Sequence, residues 1–376
     1  MILYLFWRYA IGIENFKEEK VMKKIMAIVL AVLMIASFAA CTGDSANNPT
    51  NVPSGNATTD PNTTGSEVKK FKIGLSIMEL TAYTWFQGVE QGARQWLAEN
   101  GAAKGVDLEF QVEDSHSDPQ TMLNNIENLT TAGCNGIILA PADPSSAIPL
   151  MKEKVAQGIP FVIVDYAQEA ASPADEVWST FVGHDMKALG VTAGQVAVEY
   201  LKTLNKDDPK CLFIQASQAG QVGTLRYEGF SETVLAAFPK AQIIVEGVEQ
   251  QTRDAAATLM DNILTREGDT IDVVSGHNDA IVFGAYTSTK AKGYHSKFVG
   301  IAGDKDVLTL ISDGDEYWLG EVLQDPVVLG YQATDAIVKV LVDHETLDKS
   351  YPLPQPEAIT PANVKNYDWE SWGWLG

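Results

Sequence analysis

Two kinds of hydrophobic spacing alternate along the chain from Phe71 onward. Phe71–Ile77, Val106–Val112, Gly136–Ala140 and Phe161–Val164 are short runs in which apolar residues alternate or follow without a break, as buried strands do. Between them apolar residues recur three and four apart, predicting helices. The first carries Val89, Ala93, Trp96 and Leu97 on one face, and Gln120–Ala132 and Ser146–Gln157 follow. Thr84 with Gln87 three residues on has capping-box spacing and marks the first helix start. A second series repeats the pattern, with strands Leu212–Gln215, Gln242–Val248, Val273–Gly276 and Phe298–Ile301. Its helices run over Thr224–Ala237, Asp254–Arg266 and Ala280–Lys292. Glu321–Leu323 then precedes a long helix from Val327 to Val342. Strands alternating with helices of this length specify right-handed βαβ units and parallel sheets covered on both faces. The chain is therefore α/β, with two doubly wound parallel-sheet lobes facing each other across a cleft. Ligands of such sheets sit beyond the carboxyl ends of the strands.

The pattern fails before Phe71. Lys23-Lys24 precede the unbroken small and apolar run Ile25–Ala40, which ends Ser-Phe-Ala-Ala before Cys41. A basic start, a short apolar core and small residues before a cut make an export signal. The run is shorter than the roughly 20 residues of a membrane-spanning helix. It resembles a bacterial lipoprotein signal with Cys41 as the lipidated residue; Phe38 stands where Leu is usual, which leaves cleavage without lipid as the other reading. Residues 1–21 fit no export signal, so translation is expected to begin at Met22. Residues 42–70, rich in Asn, Thr, Pro, Gly and Ser, cannot offset their ordering entropy and read as a disordered tether.

A chain of 376 residues has room for two cores, and its net charge of -22 excludes a nucleic-acid partner, which would need clustered Lys and Arg. Three cysteines make no disulfide framework and show no zinc spacing. Cys134 and Cys211 border strands of different lobes and are expected as small buried thiols. Asp114-Ser115-His116-Ser117-Asp118 alternates possible ligands, yet Pro119 stands where a calcium loop needs Gly, so a solvated loop is expected and no metal site. No dinucleotide fingerprint, P-loop, GxSxG or HExxH occurs, and no cofactor or catalytic set is predicted. A repressor would carry a basic helix-turn-helix where the export signal stands.

Several runs, taken in order, resemble the ribose-binding branch of the type I periplasmic sugar-binding proteins. They are Trp85-Phe86, Asn135–Pro141, Gly158-Ile159-Pro160-Phe161-Val162-Ile163-Val164-Asp165, Arg226–Phe230, Asn278-Asp279, Gln324 and Ile359–Val364. The resemblance covers about Phe71 to Val364. It implies two lobes joined by a three-strand hinge, with crossings near Gly183–Asp185, near Gln324-Asp325 and around Pro352–Ala358. The N-terminal lobe would then comprise residues 71–183 plus about 325–355, and the C-terminal lobe residues 184–324 plus about 356–376. The implied function is a monomeric, extracytoplasmic substrate-binding lipoprotein, anchored at Cys41 to the outer face of the cell membrane. It would pass a sugar to an ABC permease; presenting the sugar to a membrane sensor is the alternative.

A neutral sugar needs a fixed partner for almost every hydroxyl and flat rings over its C–H faces. The resemblance assigns Asp165 as hydroxyl acceptor, Arg226 as forked donor, and Asn278 and Gln324 as amides that both donate and accept. Tyr83, Trp85 and Phe86 would form one aromatic wall. Tyr166 stands where the ribose-binding pattern has Arg, Gln251 where an aromatic often stacks, and Ala302 where Asp is usual, with Asp304 as its substitute. These residues also have plainer readings. Trp85 and Phe86 would be core, Asp165 a cap, Arg226 a surface partner of Glu228 or Glu232, Asn278 a turn residue, and Gln324 a support for hinge backbone. His184 and His277 fall at cleft edges, and Trp369, Trp372 and Trp374 are expected to pack back on a lobe.

Overall fold

The tetrapeptides Gly136–Leu139 and Phe161–Val164 are buried at every position, as central strands of a parallel sheet must be. They are β3 and β4 of a computed structural model that describes residues 68–371 apart from 82–83, 144, 168–169, 217–219, 352 and 355. The leader, Cys41, Tyr83, Trp372 and Trp374 therefore lie outside the described residues. In chain order β1 is Lys69–Ile77, α1 Gln87–Lys104, β2 Val106–Asp114 and α2 Pro119–Thr131. After β3 come α3, Ile148–Ala156, then β4 and β5, Thr180–Val182. Strands β1 to β5 with β11, Ser350–Tyr351, form a six-stranded sheet in the order β11-β5-β4-β3-β1-β2, parallel throughout.

The second sheet is built the same way. Its elements are α4 Met186–Thr203, β6 Lys210–Ala216, α5 Gly220–Ala237, β7 Gln242–Val248 and α6 Arg253–Glu267. They continue with β8 Val273–Gly276, α7 Asp279–Lys292, β9 Lys297–Ala302, α8 Lys305–Asp313 and β10 Trp318–Leu323. The sheet order is β12-β10-β9-β8-β6-β7, with only the two-residue β12, Ala358–Ile359, antiparallel. The α9 helix, Pro326–Val338, follows β10 but packs against α1 and the first sheet, and runs into a widened turn over Lys339–Asp343. Two doubly wound parallel lobes result, each with apolar clusters on both sheet faces.

The chain passes between the sheets after β5, after β10 and after β11. The first two passages end alike. Asp185 accepts from the amides of Lys187 and Ala188, and Asp325 from those of Val327 and Val328, so each passage closes on an N-capped helix. His184 and Gln324 hold the equivalent position immediately before those caps. In each lobe one helix pair meets backbone to backbone. A Cβ on Gly92 or Gly330 would run into the carbonyls of Val327 or Val89 between α1 and α9. One on Gly190 or Gly229 would meet those of Arg226 or Lys187 between α4 and α5.

Several expected details change. The first α-helix does not start at Thr84: Thr84–Phe86 is a 3₁₀ turn leading into α1, and the Gln87 side-chain amide donates to the Leu80 carbonyl at 2.9 Å. α3 starts at Ile148 rather than Ser146. Helices α4 and α8 add to those read from the sequence. The loop after β2 is not fully solvated: Ser115 is buried beside Asn125, whose amide donates to the Asp114 carbonyl at 3.0 Å. In the same loop, ligand atoms of Glu79, Asp114 and His116 lie within 4.8 Å of one another. Asp114 already accepts from the Leu80 and His116 amides, and Glu79 from the Thr81 amide and hydroxyl. Cys134 and Cys211 are free, buried thiols, one in each lobe, pushed up by burial to about 11 and about 12. Trp369 packs on the second lobe's core.

Candidate functional site

The carboxyl ends of β1, β4, β7, β8 and β9 and the passage after β10 carry the polar residues singled out above, with Arg226 on α5. Val164 leads straight into Asp165, which takes a left-handed backbone, φ 64°. That conformation is uncommon outside glycine, though Asp and Asn tolerate it best. It turns the Asp165 carboxylate back toward the passage after β10, where Gln324 donates its Nε2 to Asp165 Oδ1 at 2.8 Å. Arg226 donates Nη2 to the Gln324 Oε1 at 2.6 Å and Nη1 to the His277 carbonyl. Gln324 also accepts Trp85 Nε1 at its backbone carbonyl, 2.9 Å away. One residue thus joins an acid from the first lobe and a guanidinium from the second through its side-chain amide, and an indole from the turn after β1 through its backbone carbonyl.

All three polar groups are buried, with Asp165 5%, Arg226 3% and Gln324 5% exposed. Burial pushes Asp165 up to about 6, opposed by the Arg226 charge and the Gln324 hydrogen bond. Burial likewise lowers Arg226 from its ordinary value, opposed chiefly by Asp165. His277 is driven down to about 3 by burial and then by Arg226, and His184 to about 4, chiefly by burial. Both imidazoles are neutral at physiological pH. Arg226 Nε and His277 Nδ1 are buried with no protein partner. A guanidinium with a spare buried N–H costs free energy unless something accepts from it, which a bound hydroxyl can do.

A second group stands beside the first. Asn278 caps α7, its Oδ1 accepting from the Ile281 amide at 3.1 Å, while its Nδ2 donates to Gln251 Oε1 at 2.9 Å. Arg226's bond to the His277 carbonyl ties the two groups together. Asp304 follows β9 and is buried, its backbone amide bonded to Asp279 Oδ2 at 2.8 Å. Trp85 is half-buried, and Phe86 turns into the first lobe's core, its ring edge-on to Trp85 with centroids 5.0 Å apart. Tyr166 is half-buried at the rim of that same core.

Three of the plainer readings change here. Arg226 is not a surface residue: Glu232 pairs with Lys187 at 2.9 Å, and Arg226 points inward. Asp165 receives the Gln324 side chain, whereas the amides of the next capped helix go to Asp185. Gln324 uses its amide on two charged side chains, and its backbone on Trp85. Not foreseen were Met186, whose Sδ lies 3.4 Å from Arg226 Nη2, and the buried acids Asp279 and Glu321. The one available signal for the latter was a single charge inside the otherwise uncharged run Trp318–Leu323.

Comparison with known proteins agrees with this architecture. The sequence profile of a family described as periplasmic binding protein domain matches residues 73–345. The ribose import binding protein of Bacillus subtilis is 25% identical over 281 residues, 75% of this chain and 85% of that protein. A xylitol-binding protein of Mycolicibacterium smegmatis is 27% identical over 266 residues, 70% of this chain and 71% of that protein. Among solved structures, an ABC transporter solute-binding protein from Mycobacterium smegmatis with bound glycerol superposes with a TM-score of 0.65. It is 26% identical, over 79% of this chain and 96% of its own. A periplasmic ribose ABC transporter protein from Conexibacter woesei, 19% identical, shares the fold with a TM-score of 0.68, over 82% of this chain and 99% of its own.

Proposed function

Since the chain belongs to the periplasmic binding protein domain family, we propose that it captures a sugar or related polyol between its two lobes outside the cytoplasm and delivers it to an ABC permease. The observation that carries this reading is the Asp165–Gln324–Arg226 chain, which draws an acceptor and a forked donor from opposite lobes to one buried point. Relatives named for ribose and xylitol, and a neighbour holding glycerol, have in common small, uncharged, polyhydroxylated ligands. Asp165 accepts from hydroxyls, Arg226 donates through its spare Nε, and Trp85 covers a C–H face with Phe86 behind it. The Asn278–Gln251 amide pair supplies a polar wall, and Tyr166 and Asp304 complete the rim.

Ligand contacts made only when the lobes meet drive closure about the three passages as a population shift. The lobes keep the boundaries given above, residues 71–183 with about 325–355 and residues 184–324 with about 356–376, except that β1 carries the first lobe back to Lys69. The leader ends at Cys41, which carries a lipid, and the tether holds a monomeric binding unit at the membrane face. Among the described residues no helix is long and apolar enough to cross a membrane. The test is a panel of pentoses, hexoses, polyols and short oligosaccharides scored by melting temperature and tryptophan fluorescence on the purified protein. One member should raise the first and change the second. A panel that moves neither defeats the sugar reading.

A further inference from the structure

Beneath the Asn278 and Asp304 side of the site, the second lobe buries three carboxyls. Asp279 opens α7 and is 1% exposed, Glu321 lies inside β10 at 0%, and Asp304 precedes α8 at 7%. Their hydrogen bonds divide unevenly. Glu321 Oε1 accepts from the amides of Ala302 and Gly303 at 2.7 and 2.8 Å. Asp279 Oδ2 accepts from those of Gly303 and Asp304 at 3.1 and 2.8 Å. The other oxygen of each acid, Glu321 Oε2 and Asp279 Oδ1, is buried with no donor. Both crowd the point where a Cβ on Gly300 would stand, so glycine there makes room for the two to meet.

Two ionised carboxylates facing each other in a dry interior repel and leave both oxygens desolvated. One proton between them satisfies both. We propose that Asp279 and Glu321 share a single proton, held between Glu321 Oε2 and Asp279 Oδ1, and that the pair is a positioning device clamping the Ala302–Asp304 turn beside the ligand. The outward oxygens of the pair hold three successive amides of that turn, and Gly303 bends it with a φ of 109°. Burial holds both acids above the ordinary carboxylate range, Glu321 well above it. The other charged groups that face the pair are Asp304, which adds to its reluctance to ionise, and Arg226 from α5, whose charge the two acids favour. Arg253 favours the charge of Asp304 and Asp306 opposes it.

Only the clamp's consequence for affinity rests on the sugar reading, through Asp304. Glu321→Gln keeps the acceptor for the turn and replaces the shared proton with a fixed N–H, whereas Glu321→Ala removes both. The purified proteins should differ in three ways. E321Q loses an infrared carbonyl band of a protonated carboxylic acid that the wild type shows at neutral pH. Its melting temperature falls less steeply than the wild type's as pH rises from about 5 to 9, since a buried acid that keeps its proton above its unfolded value loses stability with rising pH. Against the panel hit, E321Q binds within about threefold of the wild type, whereas E321A is weakened by at least about tenfold. An unchanged infrared band, an unchanged pH slope, or E321Q as weak as E321A overturns the proposal. Where E321A does not fold, the E321Q band and slope decide alone. A panel with no hit counts against the sugar reading and leaves those two measurements, made without ligand, to decide the pair.

Discussion

Asp165→Asn isolates one ionisation in the site while preserving its shape. Asn accepts the Gln324 bond through its own Oδ1 and tolerates the left-handed backbone at this position, so no packing or strain term is added. The wild-type carboxyl moves from an ordinary value of 3.8 to about 6 on folding, because burial penalises its charge more than Arg226 and Gln324 favour it. A group raised in the folded state contributes its stability in full below the unfolded value and loses it as pH rises through the folded value. Between pH 3.8 and about 6 the native protein holds one proton more than the unfolded chain, and the loss totals about 3 kcal/mol. His184 and His277, neutral in the fold at about 4 and about 3, act in the opposite direction, gaining stability as pH rises toward their ordinary value of 6.5. Subtracting the D165N curve removes their contribution along with that of the other buried acids. Urea unfolding of both proteins at a series of pH values should therefore show the wild type losing about 3 kcal/mol relative to D165N between about pH 4 and 7. A difference that stays flat, or that grows in favour of the wild type as pH rises, refutes the reasoning. A ligand whose hydroxyls donate to the carboxylate favours its charged form, so wild-type affinity should weaken as pH falls below about 6.

Arg226→Ala strips Gln324 Oε1 and the His277 carbonyl of their donor and leaves Asp165 without its counter-charge. It should lower stability by about 3–5 kcal/mol and abolish the melting shift given by the panel hit, both read by thermal unfolding. Trp85→Phe keeps a ring but loses the 2.9 Å bond to Gln324, and should cost about 1 kcal/mol in stability, read by urea unfolding. Gly330→Ala drives a methyl into the Val89 carbonyl at the α1–α9 crossing and should cost about 1–3 kcal/mol, with ligand affinity of the folded protein unchanged by titration calorimetry.

The lobes were legible because their strands are continuous apolar runs: Gly136–Leu139 and Phe161–Val164 permit no partly exposed placement. Helix α4 was not, since Gly190 and Gly194 weaken its intrinsic preference, and it persists through close packing on α5, at Arg226 and Phe230. In the site, Asp165, Arg226 and Gln324 could be named from a resemblance, but not their mutual bonding, because the residues are 61 to 159 positions apart in the chain and periodicity carries no information at that range. The Asn278–Gln251 pair was hidden for the same reason, and so was the meeting of Glu321 with Asp279, which depends on the vacancy at Gly300.

The crossings at Gly92 with Gly330 and at Gly190 with Gly229 put main chain directly on main chain in both halves of the molecule. Contacts of that kind have no rotamers to rearrange and little free volume to compress, so neither half can soak up distortion internally. Whatever mechanical work a captured solute performs is delivered to the three connecting segments. An optical reporter spliced into one of those segments would sense it, whereas the same reporter placed on α1 or α4 would stay silent.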